Sequence, residues 1–107
     1  MATGTIKANQ TTGTATRKTG SSGSLAWIRQ GDVVTVTGSI QITSNASHGT
    51  TLFSGLPTPR NDYVPIPVHN STTGYHFSSY LLSSGDLKNS EQWSGSAYYQ
   101  ISGSYIV

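Results

Sequence analysis

The sequence predicts an all-β domain, a small antiparallel β-sandwich or barrel, on three observations. No window of about eleven or more residues carries the 3.6-residue apolar period of a helix. Residues 33–43 (VVTVTGSIQIT) instead repeat with period 2. Turn signals recur roughly every eight to twelve residues between short β-branched and aromatic runs, the spacing of sandwiches and barrels.

Residues 1–13 (MATGTIKANQTTG) are polar and aperiodic, and predict a flexible or extended lead-in to a β domain over 14–107. Residues 14–18 are β-branched enough for a short strand, and 19–24 (TGSSGS) are turn chemistry. A strand follows at 25–30 (LAWIRQ), then a tight turn at Gln30-Gly31-Asp32. In 33–43, Val34, Val36, Ile40 and Ile42 share one face of a half-buried strand. Gly38 interrupts that row and predicts a bulge or a close backbone approach.

Residues 44–51 read as a loop, and 52–59 (LFSGLPTP) as an irregular plug over one end of the core. Pro65 and Pro67 donate nothing to a ladder, so 63–68 (YVPIPV) reads as an edge strand or polyproline-like stretch. A turn at 71–74 leads to a strand at 75–82 (YHFSSYLL). Residues 83–86 turn into a short strand at 87–89. A loop then surrounds Trp93, and 96–107 closes as a long strand with Tyr99, Ile101 and Tyr105 on a common side.

The chain's 107 residues fit one domain with a small core. Charged residues make up 9 %, against a usual share of about 25 %, so polarity comes from Ser and Thr. Net charge is +2 and no large basic face can be built, which argues against nucleic-acid binding. No apolar run approaches the roughly 18 residues of a membrane-spanning helix, and membrane insertion is not expected. With no cysteine, disulfides and thiol chemistry drop out. His48, His69 and His76 show no metal-ligand spacing and carboxylates are scarce, so no metal is expected. Nor is an enzyme. There is no G-x-S-x-G elbow, and Asp32, Asp62, Asp86 and Glu91 are the sole acids from which a glycosidase pair could come.

The run Arg29-Gln30-Gly31-Asp32-Val33-Val34-Thr35-Val36-Thr37-Gly38-Ser39-Ile40 resembles the opening of C-terminal head domains of phage tail-fibre and baseplate receptor-binding proteins. The later order resembles them too: Leu56-Pro57, Pro59, the extended 63–68 segment, Gly85-Asp86-Leu87, and the ending Ser102-Gly103-Ser104-Tyr105-Ile106-Val107. These are turn and strand residues over about 14–107, with no catalytic signature among them. The resemblance implies a homotrimeric β head on the virion, at a tail tip or baseplate, acting extracellularly. Such a head binds host cell-wall or surface polysaccharide, in Gram-positive hosts above all, without chemistry or cofactor. Residues 1–13 then become the linker or shoulder through which other fibre or baseplate proteins are met. Two further readings share the β class: a structural tip or assembly module, and a monomeric carbohydrate-binding module of a secreted protein.

A saccharide site needs an aromatic face for sugar C–H groups and planar polar side chains for hydroxyls. Trp93 stands in a polar loop (NSEQWSGS), which fits either a stacking platform or a lid over the barrel end. Arg60-Asn61-Asp62-Tyr63 is the densest polar cluster with an aromatic, or else a solvated turn with an Arg60–Asp62 contact. His76 lies mid-strand between Tyr75 and Phe77, and Tyr98 is expected to point opposite to Tyr99. Trp27 reads as core or subunit interface. Were Trp93 a platform, Trp93→Ala would lower cell-wall binding while leaving the assembly intact, a comparison that cell-adsorption and light-scattering measurements make directly.

Overall fold

The computed structural model describes residues 10–107. Among them are nine strands and no helix: β1 (Gln10–Thr14), β2 (Thr16–Arg17), β3 (Ser22–Gln30), β4 (Val33–Ile42), β5 (Thr51–Ser54), β6 (Val64–Asn70), β7 (His76–Leu81), β8 (Leu87–Asn89) and β9 (Ala97–Ile106). They form one antiparallel sheet in the order β1-β3-β4-β9-β6-β7-β8-β5-β2. The two ends of this order are consecutive in the chain and separated only by Ala15. One extended segment therefore pairs with β3 through β1 and with β5 through β2, and the sheet nearly closes into a barrel. Ala15 N donates to Leu25 O at 2.8 Å and Lys18 N to Leu52 O at 2.9 Å, so hydrogen bonding is carried across the switch.

Of the expected lead-in, residues 1–9 lie outside the described residues. Its last four residues belong to β1, where Gln10–Thr14 pair with Gln30–Ala26 of β3. The strand β6, with β7, β8 and β9, forms a Greek key: three hairpin-linked strands, with β9 returning beside β6. The expected edge character of β6 is confined to its first half. Its ladder to β9 covers only Val68, His69 and Asn70. Pro65 and Pro67, which lack N–H donors, stand where that ladder has stopped.

The long strands β4 and β9 bury alternate residues. Val34, Val36, Ile40 and Ile42 of β4 are buried as their spacing predicts, and Ala97, Tyr99, Ile101 and Tyr105 of β9 line the same interior. The β3–β4 hairpin turns on two residues, with Gly31 at φ 60 in the first position. At Gly38 the ladder runs through without a bulge. A Cβ there would collide with Ser24 O and sit 2.7 Å from Leu25 Cα, so glycine marks a close backbone approach. The expected plug begins later than residue 52. Thr51–Ser54 is the strand β5, and a register irregularity between Thr51 and Phe53 turns both Leu52 and Phe53 inward. Leu56 and Pro59, both buried, continue the plug into the core.

Trp93 and Tyr99 stack at 4.3 Å with 14° between their planes, and Phe77 packs edge-on against Tyr99 at 5.8 Å. Asn89 is fully buried and crosslinks the loops at this end. Its Nδ2 donates to Ala46 O and Glu91 O, and its Oδ1 accepts from Thr50 N. Trp27, half-buried, lies across Gly13 of β1, where a Cβ would be 2.5 Å from the ring.

Two predictions follow from this packing. Gly38→Ala forces β3 and β4 apart and is expected to cost about 1–3 kcal/mol in a denaturant titration. Tyr105 donates to Pro57 O at 2.8 Å, and burial pushes its hydroxyl up from 10.0 to about 12. Burial also raises Tyr99, against hydrogen bonds with Ser94 and Asn70 that lower it. A raised tyrosine favours the neutral form in the fold. Its contribution is therefore complete below about pH 10 and lost as pH rises through the folded value. Unfolding midpoints measured against pH are expected to fall between about pH 10 and 12, and less steeply in Tyr105→Phe, which keeps the Tyr99 part.

Candidate functional site

The outward residues of the β6–β7 hairpin form a stripe. Inward positions are Ile66, Val68 and Asn70 on β6, and Ser79 and Leu81 on β7. Pro65, Pro67 and His69 therefore face out, in register with Tyr80, Ser78 and His76. Lys88 of β8 continues the row beside Tyr80.

At one end of the stripe is an aromatic platform. Tyr63 is 67 % exposed and stacks on Tyr80 at 5.6 Å and 26°. His48 also neighbours Tyr80, with ring centres 6.4 Å apart and 34° between their planes. Tyr63 has φ 60, a backbone conformation that costs a bulky residue on the order of 1–3 kcal/mol. Asp62 holds it there, since Oδ1 accepts from Tyr63 N at 3.2 Å and from Ser83 N at 2.8 Å. His48 rides on a turn closed by Thr50 Oγ1 donating to Ser47 O, and Asn89 fixes that turn through Thr50 N. The platform thus combines two stacked faces, an imidazole and a carboxylate on a rigid frame, the groups that sugar C–H surfaces and hydroxyls require.

At the other end, His69, His76, Gln100, Ser102, Pro67 and Val68 line a surface cavity of about 250 Å³. The two imidazoles meet edge to face with ring centres 5.0 Å apart. The 71–75 turn beside them is held by Asn70, whose Oδ1 accepts from Thr72 N and Thr73 N. Tyr75 and Tyr98 are exposed at this end, at 68 % and 52 %. Tyr98 N is bonded to Thr72 Oγ1, and Tyr98 O accepts from Ser71.

The residues singled out from the sequence separate into groups. Asp62 and Tyr63 join the platform, and His76 and Tyr98 the far end of the stripe. Arg60 does not contact Asp62. Its guanidinium meets Asp32 at 3.7 Å and Val107 O at 3.1 Å, an exposed contact worth about 0–1 kcal/mol. Asn61 is exposed between the two. Trp93 is no platform but the lid: it is fully buried, and one face is taken by Tyr99. Its backbone exchanges two hydrogen bonds with Ala46, at 2.8 and 2.9 Å, which pulls the loop inward.

The sequence did not single out Tyr80 or Gln100, and it offered His48 and His69 only as metal ligands without a ligand spacing. For Tyr80 the signal was present: with Phe77 and Leu81 inward, alternation places His76, Ser78 and Tyr80 outward. The turn at 71–74 likewise sets His69 opposite His76. The approach of His48 is non-local and leaves no mark in the sequence.

The chain matches no protein-family model, and no curated protein is significantly similar to it. For Trp93→Ala the fold now predicts lost stability rather than a clean loss of binding. Deleting a fully buried indole is expected to cost about 3–5 kcal/mol, read from the thermal or denaturant midpoint.

Proposed function

We propose that this domain is an adhesion module, a receptor-binding head that attaches to a host cell-surface saccharide without chemistry. The observation that carries the reading is the Tyr63–Tyr80 platform. An exposed tyrosine is held in a costly backbone conformation by a carboxylate with an oxygen to spare. Folding alone does not favour such an arrangement, and a sugar ring stacked on it would find Asp62 beside its hydroxyls. In this reading, which rests on the resemblance to phage receptor-binding heads, the module would sit at a tail tip or baseplate and act outside the cell.

The assembly belonging to this reading is a homotrimer, and the outer face of β3, β4 and β9 is the surface proposed to meet a second copy. Its residues include Ala26, Ile28, Val33, Thr35, Thr37, Ser102, Ser104 and Ile106, with no charge among them. Register brings Val33 against Ile106, with Ile28 close by, and all three are more than 40 % exposed. The Arg60–Asp32 pair supplies a polar rim. A neutral face suits self-association because two copies bring no like charges together. Three weak sites on one head would bind a repetitive polymer by avidity.

Two variants test this reading. Tyr63→Gly removes the ring and relieves the backbone, so stability is expected to hold or rise by up to about 1 kcal/mol. Binding to host cell-wall polysaccharide is expected to fall about tenfold, equivalent to ~1.4 kcal/mol. Unchanged binding would remove the platform from the site. Light scattering at micromolar concentration is expected to give a mass near three chains, and Ile28→Lys to reduce it. A wild-type mass of one chain would favour the monomeric carbohydrate-binding module.

A further inference from the structure

The His69–His76 pair has a chemistry of its own, independent of the saccharide reading. The residues oppose each other in the β6–β7 ladder, and Gln100 is the next position across on β9. All three line the same cavity, in which there is no Lys, Arg or carboxylate. Their ring centres are 5.0 Å apart at 68°. At that separation a nitrogen from each ring can meet one ion after small χ rotations.

The backbone beneath is fixed. Ser79 Oγ donates to Ile66 O at 2.9 Å, and Asn70 caps the turn joining the strands. These side-chain bonds leave both imidazoles unengaged among the described residues. Neutral imidazole is a ligand for zinc, nickel and copper(II), whereas calcium and magnesium need oxygen donors.

We propose that His69 and His76 form a two-imidazole site for a borderline divalent transition cation, with the Gln100 amide oxygen as a third donor. Among the described residues no cluster of three His, Cys, Asp or Glu exists. The site is accordingly open: its remaining coordination positions face solvent and hold water or an exchangeable ligand. Such a site selects by ligand type rather than by a closed cage, and follows the order copper(II) above zinc. This departs from the expectation of no metal drawn from the histidine spacing, because the pairing of 69 with 76 belongs to the hairpin rather than to a local spacing motif.

The test is calorimetric titration of the full chain with zinc, nickel and copper(II) chlorides, alongside magnesium and calcium chlorides. Saturable one-to-one binding of the transition ions is expected, with no heat from magnesium or calcium. His69→Ala and His76→Ala should each weaken binding about tenfold or more, and His48→Ala should leave it unchanged. Because the imidazoles face outward, both variants should keep the wild-type melting temperature without metal. Zinc should raise that temperature in wild type alone. Electron paramagnetic resonance of the copper complex should show two nitrogen ligands, and one in either variant. Absence of saturable binding, or binding equal in wild type and both variants, would overturn the site.

Discussion

Closure of the sheet is the constraint on which the molecule depends. The segment from Gln10 to Arg17 leaves β3 at Ala15 and joins β5, so the two edges of the sheet are one continuous piece of chain. An open sheet of this length would present two unpaired edges and a half-covered core. Closing it encloses Leu25, Ile40, Leu52, Phe53, Ile101 and Tyr99 on all sides. The ends of the interior are then sealed by two devices: Trp93, stacked on Tyr99, and the 55–63 segment, with Leu56 inward.

Because the core is closed, function must be displayed on the outside, and the outward faces are chemically distinct. The face of β3, β4 and β9 is neutral and carries a small exposed apolar cluster of Ile28, Val33 and Ile106. The face of β6 and β7 carries tyrosine, proline and histidine in a row. The strand pairs that build this row are rigid, and the loops that complete it are tied down by Asp62, Asn70 and Asn89. If, as proposed, this row binds a glycan, a surface already ordered would lose little conformational entropy on contact.

What could be read in the sequence was whatever depends on local alternation. The inward row of β4, the long last strand and the turns at Gly31-Asp32 and 71–74 all follow from period and turn chemistry. Three features did not. β1 holds no large apolar residue, so its place in the sheet is set by hydrogen bonding and by Trp27 lying over Gly13. Phe53 turns inward because of an irregular register that alternation cannot foresee. Trp93, with polar neighbours on both sides, fitted a platform and a lid equally well in the sequence. Its burial comes from a bridge to Ala46, far away in the chain. The candidate site divides the same way. Asp62 and Tyr63 were visible as a cluster, but their partners Ser83 and Tyr80 belong to another strand and its turn.

The proposed function turns on whether a glycan binds at the platform of Tyr63, Tyr80 and His48. Its most direct test is amide chemical-shift mapping of the labelled domain with soluble fragments of host cell-wall polysaccharide. Binding at the platform is expected to concentrate shifts at residues 48–49, 62–65 and 79–81, with the β3–β4–β9 face undisturbed. Shifts confined to that other face, or no shifts at saturating fragment, would contradict it.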